Sequence, residues 1–333
     1  MYFTLKFWSN ILIVLIMVLF IGGCIETTTS KGQLYGQDAL TIEPFSGVNQ
    51  SSEEDKTKRN KQLPSRELSR RESKLKEAEQ IYIANPLNEN AIIWYGRRLA
   101  YLGKYEEAIA IYSEGLKTFP ESYQLFRHRG HRYITLRAFD RAIEDLQKAA
   151  FYARNEPIII EPDGIPNSMN KPLSNNKFNI WYHLGLAYYL KGNYDKAISA
   201  YKKCMEVSNN NDLKVATNCW LYATYRKLGN YDAAQALVET IPSRMNLVEN
   251  RTYHDLIMLY RGFVTSEVLI ARNTSSELDA VIGYGIANFY QMEGRVSDAQ
   301  QMLTRILNGS QWDSFGYIAA EVEVERLSDR IGL

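Results

Sequence analysis

The residues able to do chemistry are few. Four histidines stand at 128, 131, 183 and 254. His128 and His131 are one helical turn apart, which puts two imidazoles on one face as a zinc site would require. No third ligand lies near them, so no metal is expected. The neighbouring acids Glu106-Glu107 and Glu144-Asp145 read as solvated helix faces, without the paired, oppositely tuned carboxylates of acid–base catalysis. There is no nucleophile elbow, phosphate loop or Cys-x-x-Cys pair. Three cysteines are present, Cys24, Cys204 and Cys219. The last two would form a disulfide in an oxidising compartment or remain two buried thiols. The inventory predicts no catalytic residue and no cofactor.

Charge narrows the partners further. Basic residues number 39 and acidic residues 38, so no net basic surface is available to drive nucleic-acid binding. Twenty-three tyrosines against nine prolines suit a helical array with amphipathic aromatics more than a sheet. The first 23 residues stand apart from this pattern. Lys6 precedes the apolar run Ile11–Ile21, and Gly22-Gly23-Cys24 follow, the order of a secretory signal peptide. An uncleaved anchor is the alternative, the apolar run being slightly short for a span. Ile21-Gly22-Gly23-Cys24 resembles the lipobox of bacterial lipoproteins, which implies lipid attachment (palmitate among the acyl chains) at Cys24 and a membrane anchor. Ile25 stands where inner-membrane retention would need Asp, so an exported protein on the outer membrane, facing the periplasm, is the expectation. Residues 24–63 are polar and without period, and are expected to form a disordered tether with a reach of about 35 Å.

The elements that must position everything else recur. Gly96 and Gly130 are 34 residues apart, as are Ala108 and Ala142, and Tyr105 and Phe139. Trp181, Gly185, Tyr188, Gly192, Tyr194 and Ala197 restate the pattern after an insertion. A fixed period of this length marks a solenoid, each unit burying its apolar face only on its neighbours. The spacing predicts helix pairs at about 89–122, 123–156, 178–211, 215–242 and 280–311, with degenerate helices at 254–262 and from a cap at Thr265. The helix at about 314–327 mixes Ile318 and Val322 with Glu321, Glu323 and Glu325 and is expected to give the array a polar end cap. Between the second and third pairs, Pro157, Pro162, Pro166 and Pro172 exclude helix; this insertion is either functional or a spacer.

These positions resemble the tetratricopeptide repeat. The resemblance implies an all-α fold, a right-handed superhelix of helix-turn-helix repeats over residues 64–333, whose inner surface is lined by the first helix of each pair. Carried onto this chain, that surface holds Arg97, Tyr101, Arg127 and His131 from the first two repeats. Tyr182 and Tyr189 follow from the third, then Arg226 with Lys227, and Tyr284. Such a basic and aromatic groove suits acidic or aromatic peptide segments. Chaperone-binding members grip a terminal carboxylate with Lys and Asn; Ile93 and Arg97 stand at the first pair here, so that clamp is not supported.

The layout of lipobox, tether and repeats resembles NlpI-type tetratricopeptide-repeat lipoproteins. It implies a non-catalytic adaptor at the cell envelope whose protein partners include envelope hydrolases or proteases. The alternative is a structural subunit of an envelope secretion or outer-membrane assembly complex. Oligomeric state is left open.

Overall fold

Fourteen helices are strung along the described residues of a computed structural model, and most start at a side chain that accepts a hydrogen bond from the exposed backbone of the first turn. The structure describes residues 63–162, 165, 167–273 and 278–331, all within the second of the chain's two units, Gly47–Leu333. The signal segment, Cys24 and nearly all of the expected tether lie outside these residues. Helix α1 spans Ser65–Ala84, α2 Glu89–Tyr101, α3 Tyr105–Thr118, α4 Tyr123–Thr135 and α5 Phe139–Tyr152. Then come α6 Asn176–Lys191, α7 Tyr194–Val207, α8 Asn211–Lys227 and α9 Tyr231–Glu239. The chain closes with α10 Arg251–Tyr260, α11 Ser266–Arg272, α12 Ala280–Met292, α13 Val296–Leu307 and α14 Phe315–Ile331.

Asn88, Ser122, Asn175 and Asn210 cap α2, α4, α6 and α8 by accepting from Ala91, Leu125, Phe178 and Leu213, which satisfies donors that the helix itself leaves open. Thr265 does the same for α11. The Asn210 cap also starts α8 at Asn211, ahead of the position 215 that the repeat spacing predicts. Inside the pairs, small residues let backbones approach. Ala108, Ala142 and Ala197 are fully buried. A Cβ on Gly96 would sit 2.3 Å from the Tyr112 ring, and one on Gly185 2.6 Å from the Tyr201 ring. The result is an all-α solenoid in which consecutive helices pack on one another from α1 to α9, after which α10 packs on α8 and α12.

Gly103, Gly192, Gly229, Gly262 and Gly294 end their helices in the left-handed region, at φ between 72° and 80°. In the second pair that place is taken by Arg137, at φ 60°. A side chain there is strained by roughly 1–2 kcal/mol. Arg137 is held to it by long-range contacts: its guanidinium lies 3.7 Å from the centre of the Trp312 ring, donates to Trp312 O at 2.9 Å and pairs with Glu321 at 2.6 Å.

That contact shows where α14 lies. The expected polar end cap is corrected: α14 packs on α12 and α13, and its acidic side turns inward across the array. Glu321 meets Arg137, and Glu323 meets Lys227 of α8 at 2.7 Å. Arg326 donates to Leu190 O at 2.6 Å and to Tyr194 Oη at 3.1 Å. Tyr317, Ile318, Ala319 and Ala320 are buried. Acids opposite bases on distant helices could not be paired from local sequence.

A second correction concerns Asp145. It is buried rather than solvated, held by two parallel hydrogen bonds from Arg129, at 2.7 and 2.8 Å. Glu106, Glu107 and Glu144 are exposed as expected. Cys204 and Cys219 are both free and buried; Cys204 Sγ is 3.3 Å from Thr217 Oγ1, and burial pushes both thiols up to about 12.

Candidate functional site

Apart from Arg226 and Lys227, the residues expected to line the inner surface fall into three settings. Arg97, Tyr101 and Arg127 form the first. Arg97 stacks 4.2 Å over Trp94 and donates to Tyr101 Oη at 3.1 Å. Arg127 is buried and pairs with Glu161 of the insertion, a contact made by its Nη2 on Glu161 Oε2. Asn179 donates to the same carboxylate oxygen at 2.6 Å. Arg97 Nη2 donates to Pro162 O at 2.9 Å. The insertion therefore bends inward and lays Glu161-Pro162 against the first half of the surface.

The backbone explains how it gets there. No helix forms between Tyr152 and Asn176 among the described residues. Ile160 and Asn175 form an antiparallel bridge, with Glu161 N donating to Ser174 O at 3.0 Å. Buried Asn176 holds the approach by donating to Pro157 O and accepting from Ile159 N. Glu161 then points inward, its side chain mostly covered, while Ile158, Ile159 and Ile160 remain 44–49 % exposed.

His131 and Tyr182 make the second setting. His131 lies 4.2 Å from His183, centre to centre, and 5.4 Å from Phe315 at the start of α14. Tyr182 is buried, and its hydroxyl is 2.8 Å from that of Tyr253. Burial and the charge of nearby Arg127 hold His183 at about 3, and burial keeps His131 and His128 well below the ordinary imidazole range. His128 and His131 do not converge on a common point: His128 Nδ1 faces Arg127 Nη1 at 3.1 Å, and His131 faces His183. Among the described residues no group of three or more His, Cys, Asp or Glu is arranged to hold a metal ion.

Tyr189 and Tyr284 form the third, with their hydroxyls 2.7 Å apart and both rings around Trp220. They are core, not surface. Arg226 lies apart, stacked 4.9 Å over Tyr231, on a cavity of about 360 Å³ that Lys227, Tyr194 and Arg326 also border. Tyr182, Tyr189 and Tyr284, expected as contacts on the inner surface, are corrected: they are buried among the chain's own helices. Tyr182 packs near Phe315 of α14, and Tyr189 and Tyr284 pack on Trp220 of α8, because large aromatic rings gain more by removing apolar area from water than by staying exposed.

Sequence reasoning missed Glu161, Asn179 and Arg137. Arg137 left a signal. It stands 34 residues after Gly103, where the repeat calls for glycine, and a residue that breaks a local rule is compensated elsewhere. Glu161 left only its place in an acidic, proline-flanked stretch. Cys24 is outside the described residues.

Comparison with known proteins agrees with this architecture. Residues 178–211 and residues 96–156 each match a model described as tetratricopeptide repeat. BBSome complex member BBS4 of Bos taurus is 31 % identical over 138 residues, which cover 41 % of this chain and 22 % of that protein. The chain thus spans about a fifth of the length of the curated relative it matches. Among solved structures, a tetratricopeptide repeat protein from Parabacteroides merdae is 18 % identical, covering 79 % of this chain and 81 % of that one at a TM-score of 0.43. YrrB, titled a TPR protein with an unusual peptide-binding site, is 13 % identical, covering 74 % and 97 % at 0.40. With helix pairs repeating in register and repeat models matched on both sides of the insertion, the chain carries tetratricopeptide repeats at residues 96–156 and 178–211.

Proposed function

We propose that this protein is a non-catalytic scaffold that brings protein partners together at the cell envelope, held there by lipid on Cys24. The repeats support the general part, a protein–protein interaction scaffold. The single observation that carries the reading is the basic and aromatic inner side, where Arg97 and Arg127 already hold a proline-flanked acidic segment. A surface that grips one such segment has the donors to grip another. The envelope location rests on the order Lys6, Ile11–Ile21, Gly22-Gly23-Cys24. Hydrolases and proteases of the envelope are the partners we favour, through the layout of lipobox, tether and repeats.

The test is in-cell crosslinking of the full chain through a C-terminal tag, with mass spectrometry of what is captured and of the N-terminal peptide. Envelope hydrolases or proteases at low stoichiometry, with a diacylglyceryl group on Cys24, are expected. A fixed stoichiometric set of membrane-assembly subunits would show a structural subunit instead. An unmodified Cys24 within an intact N-terminus would remove the lipid anchor.

A further inference from the structure

Two segments of the chain occupy the inner side, and they are held very differently. Helix α14 is part of the core. Tyr317, Ile318, Ala319 and Ala320 are at most 1 % exposed, and a Cβ on Gly316 would sit 2.3 Å from Ala280 O. Lifting α14 would open the array. Glu161-Pro162, in contrast, is fastened to the inner side by polar contacts: the carboxylate on Arg127 and Asn179, and the Pro162 carbonyl on Arg97. The isoleucines before it are only half covered, and Pro162 itself is exposed, so its apolar hold is weak beside that of α14.

The fit is also incomplete. Arg127 presents a fork of donors, of which Nη2 meets Glu161 and Nη1 faces His128. Its Nε is buried and has no hydrogen-bond partner. A carboxylate seated squarely on the fork would use Nε and Nη2 together, the stronger bidentate arrangement. Glu161 uses one of the two.

We infer that Arg127, Asn179 and Arg97 form a carboxylate-reading site for an extended acidic segment of a partner protein, and that Glu161-Pro162 is a built-in occupant which the partner displaces. The inference rests on the scaffold reading and narrows it. Of the expected groove, the half under α14 is closed for good, and only the half under the insertion opens. The partner segment places a Glu or Asp side chain on the Arg127 fork and a backbone carbonyl on Arg97, as the insertion does. Tethering gives the resident segment an effective concentration of about millimolar, so a partner must bind more tightly than the insertion does to prevail.

The probe is a fluorescein-labelled peptide with the sequence of residues 156–162, read by anisotropy against the purified chain. Wild type should bind it weakly. Glu161→Ala, which vacates the fork, should bind it at least about tenfold more tightly. A probe carrying Gln for its second Glu should lose that gain, and so should Arg127→Gln added to Glu161→Ala. A folded Glu161→Ala chain that binds no more tightly than wild type would overturn the inference. If Glu161→Ala does not fold, hydrogen exchange on wild type decides. Saturating probe should speed exchange of the Glu161 amide, which otherwise donates to Ser174 O, and an unchanged rate would overturn it. The scaffold reading fails separately: partners captured in cells without any gain for the probe would sink only this site, whereas probe binding without captured partners would sink only the envelope scaffold.

Discussion

Replacing Arg137 measures how firmly the C-terminal helix is tied to the second repeat. Arg137 carries two opposed terms. Its left-handed backbone, φ 60°, is strained by roughly 1–2 kcal/mol for a residue with a Cβ. Against this stand the stacking on Trp312 at 3.7 Å, about 0.5–2 kcal/mol, and the charge-assisted bond to Trp312 O, about 1.5–3 kcal/mol. The pair with Glu321 is about a quarter exposed on each side and adds at most ~1 kcal/mol. Arg137→Ala removes the arm and keeps the strain, so it should destabilise by about 2–6 kcal/mol. Arg137→Gly removes the arm and relieves the strain, less the entropy of an added glycine, roughly 0.5–1 kcal/mol. It should therefore unfold more easily than wild type but be about 1 kcal/mol more stable than the alanine variant. Urea unfolding followed by tryptophan fluorescence reads both. A glycine variant as stable as wild type would refute the anchoring role, and equal glycine and alanine variants would refute the strain.

Stability should also fall in mild acid. Neutral His183, held at about 3 by burial and Arg127, and His131 and His128, both lowered by burial and neighbouring arginines, take up protons near pH 6.5 once unfolded. Because the unfolded chain binds more protons below that value, stability is full above about pH 6.5 and is lost as pH falls toward 3; a urea midpoint that stays flat from pH 7.5 to pH 5 would contradict this. Asp145→Ala strands Arg129, which is mostly buried at that contact, and should destabilise by about 3–5 kcal/mol; a calorimetric melt within a degree of wild type would show the pair to be dispensable. Ala197→Leu places three more carbons at a position with no exposure and should destabilise by about 1–3 kcal/mol through overpacking, with an unchanged urea midpoint counting against the repeat register.

What could be read in the sequence was what repeats. Gly96, Gly130 and Gly185 sit against the facing helix of their own pair, and Ala108, Ala142 and Ala197 are its fully buried counterparts. Those contacts span one repeat, so a periodic pattern encodes them. Thr265 as a cap and the helix-free insertion were legible for the same reason, both being set by neighbours in sequence. The inner side was legible in position but not in state. Whether Tyr189 meets solvent or Tyr284 depends on a partner 95 residues away, and Arg127 is covered by Glu161, outside the period. Single long-range pairs of this kind leave no repeat to detect, and the acids of α14 looked like any solvated helix face until their bases were found on α4's end and on α8.

The crossing of α14 also changes the order in which the molecule can be made. An open array adds repeats one at a time, each stabilised by the one before it, and could finish its first half while the rest was still being synthesised. Here Tyr105 hydrogen-bonds Asp313, 208 residues away, and Arg137 waits for Glu321, 184 residues away. The early repeats therefore spend translation with their aromatic inner side uncovered, and they complete their packing only when the last twenty or so residues arrive. Closure over such distances slows folding, and these contacts should couple the first two repeats to α14 so that they unfold together rather than repeat by repeat.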